Sequence, residues 1–538
     1  MLGLAGTSSV VAGTVLAGHL IYSGVRAASG HAADPVRSAR MLLWAAIAAF
    51  LVLELAILGN DFSVVYVADH HATTTPFPFD VATAWAALEG SIVLWGLVLA
   101  VYTWLVAKDH RRDPQPLSAG ALAVMGIVAL FFFGVMSTIA NPFETCVEAA
   151  QVGCLESSPI PLVGAEAPAE GRGPNPLLQN HLLMAIHPPV LYLGFVGMTA
   201  PFAYAVSALA IGRPGIEWLT RSKRWTTTAW SFLTLGIVLG SWWAYEVLSW
   251  GGYWAWDPVE NASFIPWLVA TAFLHSALVQ IRRGMLQSWN FVLVITTFAL
   301  TILATYLTRS GTVASVHSFT QSAIGPALLG FLVFVTAGSL ALFAVRAETV
   351  AQPSRMETLI SREGAFLANN LILTAFAVMV LVGTTYPIFV EALTGDVVQV
   401  GRPFFDRLAR PLSFALLLAM GIGSAMPWRV ARPGLVWKRI HGPLQASLAA
   451  GAATVAFVTR VGWVVAAVWA PRFPRNASPM ARSPTPAWLS CPLQYPGSRR
   501  ISDRGSARPE SDSLRSASER RRKASTGWAP APGTAGRV

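Results

Sequence analysis

Charge is scarce in this 538-residue chain: Asp, Glu, Lys and Arg make up 12% of it, while hydrophobic residues make up 54%. Ordinary soluble domains carry about twice that charge, so the composition excludes a soluble globular protein. A mean hydropathy of +0.53 and repeated long apolar runs describe a polytopic membrane protein instead. Cysteine is scarcer still. Three residues are too few for a disulfide scaffold or an iron–sulfur site. Cys146 and Cys154 share one connecting segment, and read as an inert disulfide or free thiols rather than a CxxC-type exchange pair. A basic leader and a small-residue cleavage site are both missing ahead of the run Leu2 to Tyr22, which therefore reads as a retained span. The net charge of +11 also misleads. From Pro471 onward there are 13 basic and 4 acidic residues, a net of +9, which leaves +2 for the first 470 residues. A basic surface for nucleic acid is thereby excluded.

What is abundant is apolar sequence in segments long enough to cross a bilayer. About 12 spans are expected, near residues 3–23, 41–60, 82–106, 118–139, 184–209, 229–248, 262–280, 289–308, 325–345, 366–386, 411–428 and 446–469. The fold class is all-α, with a polytopic membrane domain over 1–470. The connecting segments alternate in charge. Arg26, Arg37 and Arg40 lie in the first, Lys108, Arg111 and Arg112 in the third, Arg221, Lys223 and Arg224 in the fifth. Arg282 and Arg283, Arg355 and Arg362, and finally Arg429, Arg432, Lys438 and Arg439 continue the pattern. By the positive-inside rule the odd segments are cytoplasmic and the N-terminus is outside. Asp61, Asp69, His70 and His71, both early cysteines and the segment 387–410 then share the outer face.

The same face holds the most unusual stretch, residues 241–267, SWWAYEVLSWGGYWAWDPVENASFIPW. It contains six tryptophans: Trp242, Trp243, Trp250, Trp254, Trp256 and Trp267. Asp257 and Glu260 lie among them. Large rings of this type favour the lipid–water boundary. Two readings are open, an aromatic belt that only anchors helices and a partly embedded aromatic platform with carboxylates along its edge. The glycine pair Gly251 and Gly252 packed among the rings favours the platform.

Histidines flank the stretch. His187 opens HPPVLYLGFVG, where two prolines fix a turn or the first part of a helix; His317 lies in TRSGTVASVHSF. Both suit the axial positions of a haem iron, and both also suit helix-capping or surface roles. His275 is at membrane depth within FIPWLVATAFLHSALVQ, and is a functional candidate or a packed histidine bonded to a neighbouring helix. Glu89, mid-span in WAALEGSIVLW, reads equally as a helix-packing group or a ligand- or proton-handling group. Arg309 is placed to pair with a haem propionate, with Asp257 or Glu260, or with lipid phosphate by snorkelling.

WGGYWAWDPVENASFIPWL resembles the tryptophan-rich signature of haem-handling membrane proteins of cytochrome c biogenesis. The flanking HPPVLYLGFVG, LTRSGTVASVHSF, WAALEGSIVLW and TYPIFVEALTGDVVQVGRPFF resemble the cytochrome c maturation protein F family, the haem lyase subunit. The likeness runs over residues 10–435. It implies a protein of the bacterial inner membrane, with its N-terminus and an external haem platform on the periplasmic side. It implies a haem b substrate taken from a periplasmic haem chaperone and joined to the CxxCH thiols of apocytochrome c. Thiol-reducing and thiol-presenting maturation subunits, membrane lipid and quinol are the other implied partners. Residue by residue, it makes His187 and His317 axial ligands of the arriving haem. The expected binding set adds Trp242, Trp243, Trp250, Trp254, Trp256, Asp257, Glu260 and Arg309. His275 becomes a ligand of a second, stable haem b.

The chain departs from the family pattern after Trp469. A second transmembrane histidine, a large outer segment and a closing span are expected there, but no histidine follows His441. Instead, residues 471–538 are rich in Pro, Ser and Arg without apolar periodicity, and are expected to be a disordered basic tail. Such an abrupt change reads as a frameshifted or truncated reading frame, with a lineage-specific tail as the competing account. It also predicts an impaired second haem site, with His19 the one other histidine at membrane depth. The rival functions are a haem or small-solute transporter, a quinone-linked electron-transfer subunit and an assembly scaffold. The transporter would need polar pairs at broken helices, and little beyond Glu89 and His275 supplies them.

Overall fold

A computed structural model describes residues 1–161, 165–176, 180–248, 252–313, 315, 324–350, 356–430 and 432–469. Its helices are α1 (Leu2–Ala28), α2 (Pro35–Leu58), α3 (Val65–His70), α4 (Phe77–Ala86), α5 (Leu88–Arg112) and α6 (Pro116–Ser137). A hairpin of β1 (Thr145–Ala149) and β2 (Cys154–Ser158) comes next. Then come α7 (Leu182–Gly197), α8 (Thr199–Ala210), α9 (Glu217–Val247), α10 (Pro258–Arg283), α11 (Gln287–Arg309), α12 (Ile324–Val345) and α13 (Ala347–Val350). The last are α14 (Arg362–Thr394), α15 (Arg402–Ala425) and α16 (Pro433–Trp469). Contacts divide the chain into two units, Met1–Ala450 and Gly451–Val538. The described part of the second unit is the helical stretch from 451 to 469. The tail beyond it lies outside the described residues.

Among the described residues, ten helical segments are long and apolar enough to cross a membrane, α7 and α8 counting together as Leu182–Ala210. They match ten of the twelve expected spans. The other two, 229–248 and 446–469, fall within the helices α9 and α16 but are not among the ten. In α9 the reason is compositional: the helix opens on EWLTRSKRW, and its remaining length is rich in Thr, Ser, Gly and Trp rather than aliphatic residues. Two expected spans are also interrupted. The span 82–106 breaks at Ala87, which is extended (φ −127°, ψ 177°) between α4 and α5. Glu89 therefore sits in the first turn of α5, where the helix dipole favours a carboxylate, and not in mid-helix as its sequence position suggests. The span 184–209 divides at Met198.

Helix ends are set by local chemistry. Asp34 caps α2 by accepting the Arg37 N–H at 3.0 Å, with Pro35 at the first helical position. Ser361 caps α14 through the Gly364 N–H at 3.1 Å. Gly284 and Gly395, both at positive φ, end α10 and α14.

Ion pairs gather where α5 and α10 end and α9 and α14 begin. Arg221 pairs with Asp113 at 2.6 Å and Glu217 at 3.0 Å, and Arg224 with Asp109. Arg283 joins Glu357 at 3.0 Å and Glu363 at 2.7 Å. At the other end of these helices the segment between α2 and α5 packs under the β-hairpin. Val64 bridges Thr145, and the Val65 N–H donates to Glu144 O at 2.9 Å. Cys146 and Cys154 form a disulfide across the hairpin.

One packing contact sets how closely α7 approaches α9. A methyl group on Gly194 of α7 would lie 2.5 Å from Leu233 Cα of α9, and one on Gly236 of α9 would lie 2.6 Å from Leu191 Cα. The two backbones touch through paired glycines, the small-residue device of membrane helices. Gly236→Val is accordingly expected to destabilise by about 1–3 kcal/mol through overpacking, and Gly330→Val, where a side chain meets nothing within 4 Å, to be neutral. Denaturation of the two variants in the same detergent measures the difference, and equal stabilities would refute the close α7–α9 contact.

Candidate functional site

The α7–α9 contact brings His187 beside the aromatic stretch. His187 stacks on Trp243 with ring centroids 5.6 Å apart and 27° between planes. Gly240, one turn before Trp243, leaves room for the imidazole: a Cβ there would lie 3.4 Å from His187 Cδ2. His187 Nδ1 is 2.8 Å from Leu183 O. A carbonyl only accepts, so Nδ1 carries a proton, and Nε2 is the ring nitrogen on the side away from that bond. The second nitrogen of a metal-ligating histidine is commonly fixed in this way. The two prolines lie in the first half of α7, which begins at Leu182. Pro189 has no N–H to offer Ala185 O, and that carbonyl accepts the Trp85 Nε1–H instead at 3.1 Å.

The aromatic stretch is three pieces rather than one loop. Its first part is the last turns of α9. Trp242 there is half exposed and donates to Glu246, whose other oxygen is 2.8 Å from His181 Nε2. Trp243 is buried. The middle part contains Tyr253, which stacks on Tyr245 at 4.5 Å, and Trp254, edge-on to Trp256 at 6.1 Å and Phe264 at 5.7 Å. The third part is the start of α10, including Trp267 stacked on Phe264 at 5.6 Å. Trp250 and His317 lie outside the described residues.

Trp256 anchors the arrangement. Its φ of +60° is in the left-handed region, uncommon for a large side chain and sustained only where surroundings enforce it. Three contacts do so. Its Nε1–H donates to Asp406 Oδ1 at 2.9 Å, its ring stacks on Phe405 at 5.2 Å, and its carbonyl accepts the Asn261 amide at 3.0 Å. Asp257 and Glu260 then cap α10. The Asp257 carboxylate accepts the Val259 N–H at 3.0 Å and the Ser315 hydroxyl at 2.6 Å. Glu260 Oε2 accepts the N–H groups of Ala255 at 2.9 Å and Asp257 at 3.1 Å. These carboxylates fix the platform to its helix. The Asp-Pro-Val-Glu spacing is itself a capping-box signature legible in the sequence.

Arg309 is 2% exposed, and its guanidinium donates to Ser91 Oγ at 2.9 Å and Tyr192 Oη at 2.7 Å. Trp95 and Tyr192 supply ring faces 5.9 and 5.6 Å away. A buried position of this kind replaces the expectation of an arginine snorkelling to lipid. It ties α11 to α5 and α7, and the sequence alone does not reveal Ser91 and Tyr192 as its partners.

His275 lies elsewhere. It is about 27 Å along α10 from Asp257 at 1.5 Å per residue. It lines a cavity of about 370 Å3 with Arg362, Phe366, Asn369, Met420 and Trp428. Its ring is 5.2 Å from Phe366, and its buried Nδ1 has no hydrogen-bond partner. No second histidine lines that cavity among the described residues. His19 does not complete it: its Nδ1 bonds Ser38 Oγ at 2.8 Å, and its helix α1 packs on α2 and α6, whereas α10 packs on α9, α11 and α14. His441 bonds its own helix at Trp437 O.

His70 and His71 serve the layer beneath the hairpin. Buried His71 is 2.7 Å from Asn60 Oδ1 and 3.4 Å from Asp80, and His70 packs edge-on to Tyr66 at 4.9 Å. Burial pushes both imidazoles below their ordinary range, against Asp80 and Glu170 beside His71 and Asp69 beside His70, which pull them up.

An all-α polytopic membrane protein, with a histidine stacked on an aromatic platform where α9 meets α10, is the class these features define. A family profile described as cytochrome c assembly protein matches residues 85–314. The chain is similar to the cytochrome c-type biogenesis protein CcmF of Pseudomonas aeruginosa, 41% identical over 78% of this chain and 61% of that one. CcmF of Escherichia coli is 42% identical over 74% of this chain and 59% of that one. NrfE of Haemophilus influenzae is 35% identical over 69% and 56%. A solved structure titled cytochrome c heme lyase CcmF superposes with a TM-score of 0.64 at 41% identity, covering 80% of this chain and 63% of that one. The chain belongs to the CcmF family of cytochrome c biogenesis proteins. It spans about three fifths of the length of these relatives.

The histidines beneath the hairpin give a pH prediction. A group whose folded pKa is depressed contributes stability above its unfolded pKa and loses it as pH falls through the folded value. Going from about pH 7 to about pH 5 should therefore raise amide exchange in residues 60–76, after correction for intrinsic rates, more than in α6. A His70→Gln, His71→Gln double variant should flatten that dependence. Unchanged protection in the parent chain would contradict it.

Proposed function

We propose that this chain is a haem lyase subunit: it receives haem at the aromatic platform and promotes its attachment to the CxxCH thiols of apocytochrome c. The observation that carries this reading is His187, whose Nδ1–H is fixed on Leu183 O while its ring stacks on Trp243 at the platform edge. A neutral imidazole with its lone pair at Nε2 is the form that binds iron. Trp242, Trp243, Trp254 and Trp256 supply faces for a flat apolar macrocycle. His317 is the second axial ligand in this reading, with Trp250 completing the platform.

In the attachment step a thiol adds across each haem vinyl group. The sulfur bonds one vinyl carbon, the thiol hydrogen ends on the other, and no net oxidation occurs. What the protein supplies is register between two partners. The capped turn at Trp256 suits that task, because its rings cannot swing.

The platform faces the periplasm and the arginine-rich end faces the cytoplasm of a bacterial inner membrane. Both the positive-inside rule and the Cys146–Cys154 disulfide at the platform end support this orientation. Haem arrives from a periplasmic chaperone, and reduced apocytochrome from thiol-presenting maturation subunits, with quinol as the electron source. A second haem b would be held by His275 and Arg362, and would supply electrons to keep the substrate iron reduced. The residues around His275 fit that group in part: the cavity and one nitrogen are there, and a second imidazole is not among the described residues.

Replacing His187 by Ala is expected to lower the haem trapped from its chaperone and the finished cytochrome c by at least about tenfold each. His317→Ala should match it. Haem pull-down and haem-stained gels measure the two quantities, and unchanged yields would leave an assembly scaffold as the better account. A His187→Ala, His317→Ala double variant, which removes the platform ligands, should lack a low-spin bis-histidine haem spectrum. Its appearance would mean that a residue other than His19 or His441 completes the His275 site.

A further inference from the structure

We propose that Val397–Val400 is a strand without a partner among the described residues, and that it docks the CxxCH-bearing segment of the apocytochrome by β-strand addition beside Trp256. The inference rests on the haem-attachment reading above and names where the polypeptide substrate lies.

Between α14 and α15 the backbone runs without regular structure from Gly395 to Gly401. Exposure alternates along it: Val397 and Gln399 are exposed, Val398 and Val400 half-buried. That period of two is the signature of a strand with one face on the protein. None of the four residues has a backbone hydrogen bond to another described residue. Backbone donors and acceptors without a partner among the described residues, along a run of three valines and a glutamine, offer an edge that another chain can complete. The segment Val397–Val400 carries no charge, proline or bulge to guard it.

The segment also adjoins the platform. It forms one wall of a cavity of about 210 Å3, whose other walls include Trp256, Asn261, Thr384 and Phe405. Asn261 is 1% exposed; its amide nitrogen donates to Trp256 O, while its buried Oδ1 has no partner. A buried acceptor in that state calls for a donor, and an amide of an incoming peptide seated in the cavity supplies one. Trp256 contributes to both the cavity and the aromatic cluster, so a peptide held here lies against the platform.

The mode of recognition suits the substrate. Strand addition uses main-chain hydrogen bonds, which are indifferent to side-chain identity, and leaves only alternate side chains to pockets. Polypeptides that share little beyond two cysteines and a histidine require that tolerance.

The test uses the whole chain in nanodiscs, with p-benzoylphenylalanine in place of Val397 or, as a control, of Leu393, which is 84% exposed on α14. The probe is a short biotinylated peptide containing a reduced Cys-x-x-Cys-His sequence, with a second version N-methylated at alternate amides. Position 397 should capture the peptide and position 393 should not. Methylation should reduce capture by at least about tenfold, as should Val398→Pro, which removes an edge N–H. Val398→Ala should capture normally, and haem trapping that depends on His187 should stay within about twofold in every variant. Methylation leaves the protein untouched, so that arm decides even if the proline variant fails to fold. Equal capture of both peptides overturns the proposal while leaving the lyase reading intact. Crosslinking of position 397 to a second copy or to another part of this chain also overturns it. Failure of the parent chain to take up either haem or peptide would remove both.

Discussion

The capping box at the start of α10 is the constraint on which the aromatic site depends. Asp257 and Glu260 accept backbone N–H groups at the start of α10, Glu260 reaching back to those of Ala255 and Asp257. The last residue before the cap must then enter the helix at a fixed angle. That residue is Trp256, and its left-handed backbone follows from the entry angle together with the Asn261 amide on its carbonyl. Strain of this kind costs on the order of 1–3 kcal/mol. The bond to Asp406 and the stack on Phe405 help offset it. The turn therefore couples α10 to α15 across 150 residues of sequence.

The other half of the site depends on backbone proximity. Gly194 and Gly236 let α7 and α9 touch, and that contact sets the height at which His187 meets Trp243. Nothing polar is needed between the helices there. The imidazole is oriented instead within its own helix, by Leu183 O, four residues back. Position comes from packing, and the Leu183 carbonyl and the Trp243 ring orient the imidazole. Arg309 extends the same frame, since its guanidinium links Ser91 of α5 with Tyr192, one turn beyond His187 on α7.

Much of this was legible in the sequence, for physical reasons that differ by element. Ten spans could be read because apolar runs in lipid have one available structure, the helix. The break at Ala87 could not, since good helix formers stand on both sides. It exists because Gly90 packs against Ala84 O and the Tyr66 hydroxyl, whose own bond goes to Thr83 O. The position of His187 at the platform followed from its place between apolar runs, whereas its partner Trp243 required the glycine contact. Asp406 and Phe405 were opaque, because a contact across 150 residues leaves no local pattern. Asn261 was overlooked within a motif dominated by tryptophans.

The helix α10 also explains why two candidate histidine sites can differ in completeness. Its cap holds Trp256 at one end, and His275 lies about 27 Å further along the same rigid element. Side chains reach only a few Å from a helix, so no one macrocycle contacts both positions. The platform is completed by α7, α9 and α15, and the His275 cavity by α14 and the far turns of α15. These supporting sets overlap only in α15, and there at opposite ends, Asp406 against Met420. Haem capture at the platform, as proposed, is thus mechanically separable from whatever binds at His275. The geometry at Trp256 therefore does not depend on what surrounds the deeper histidine.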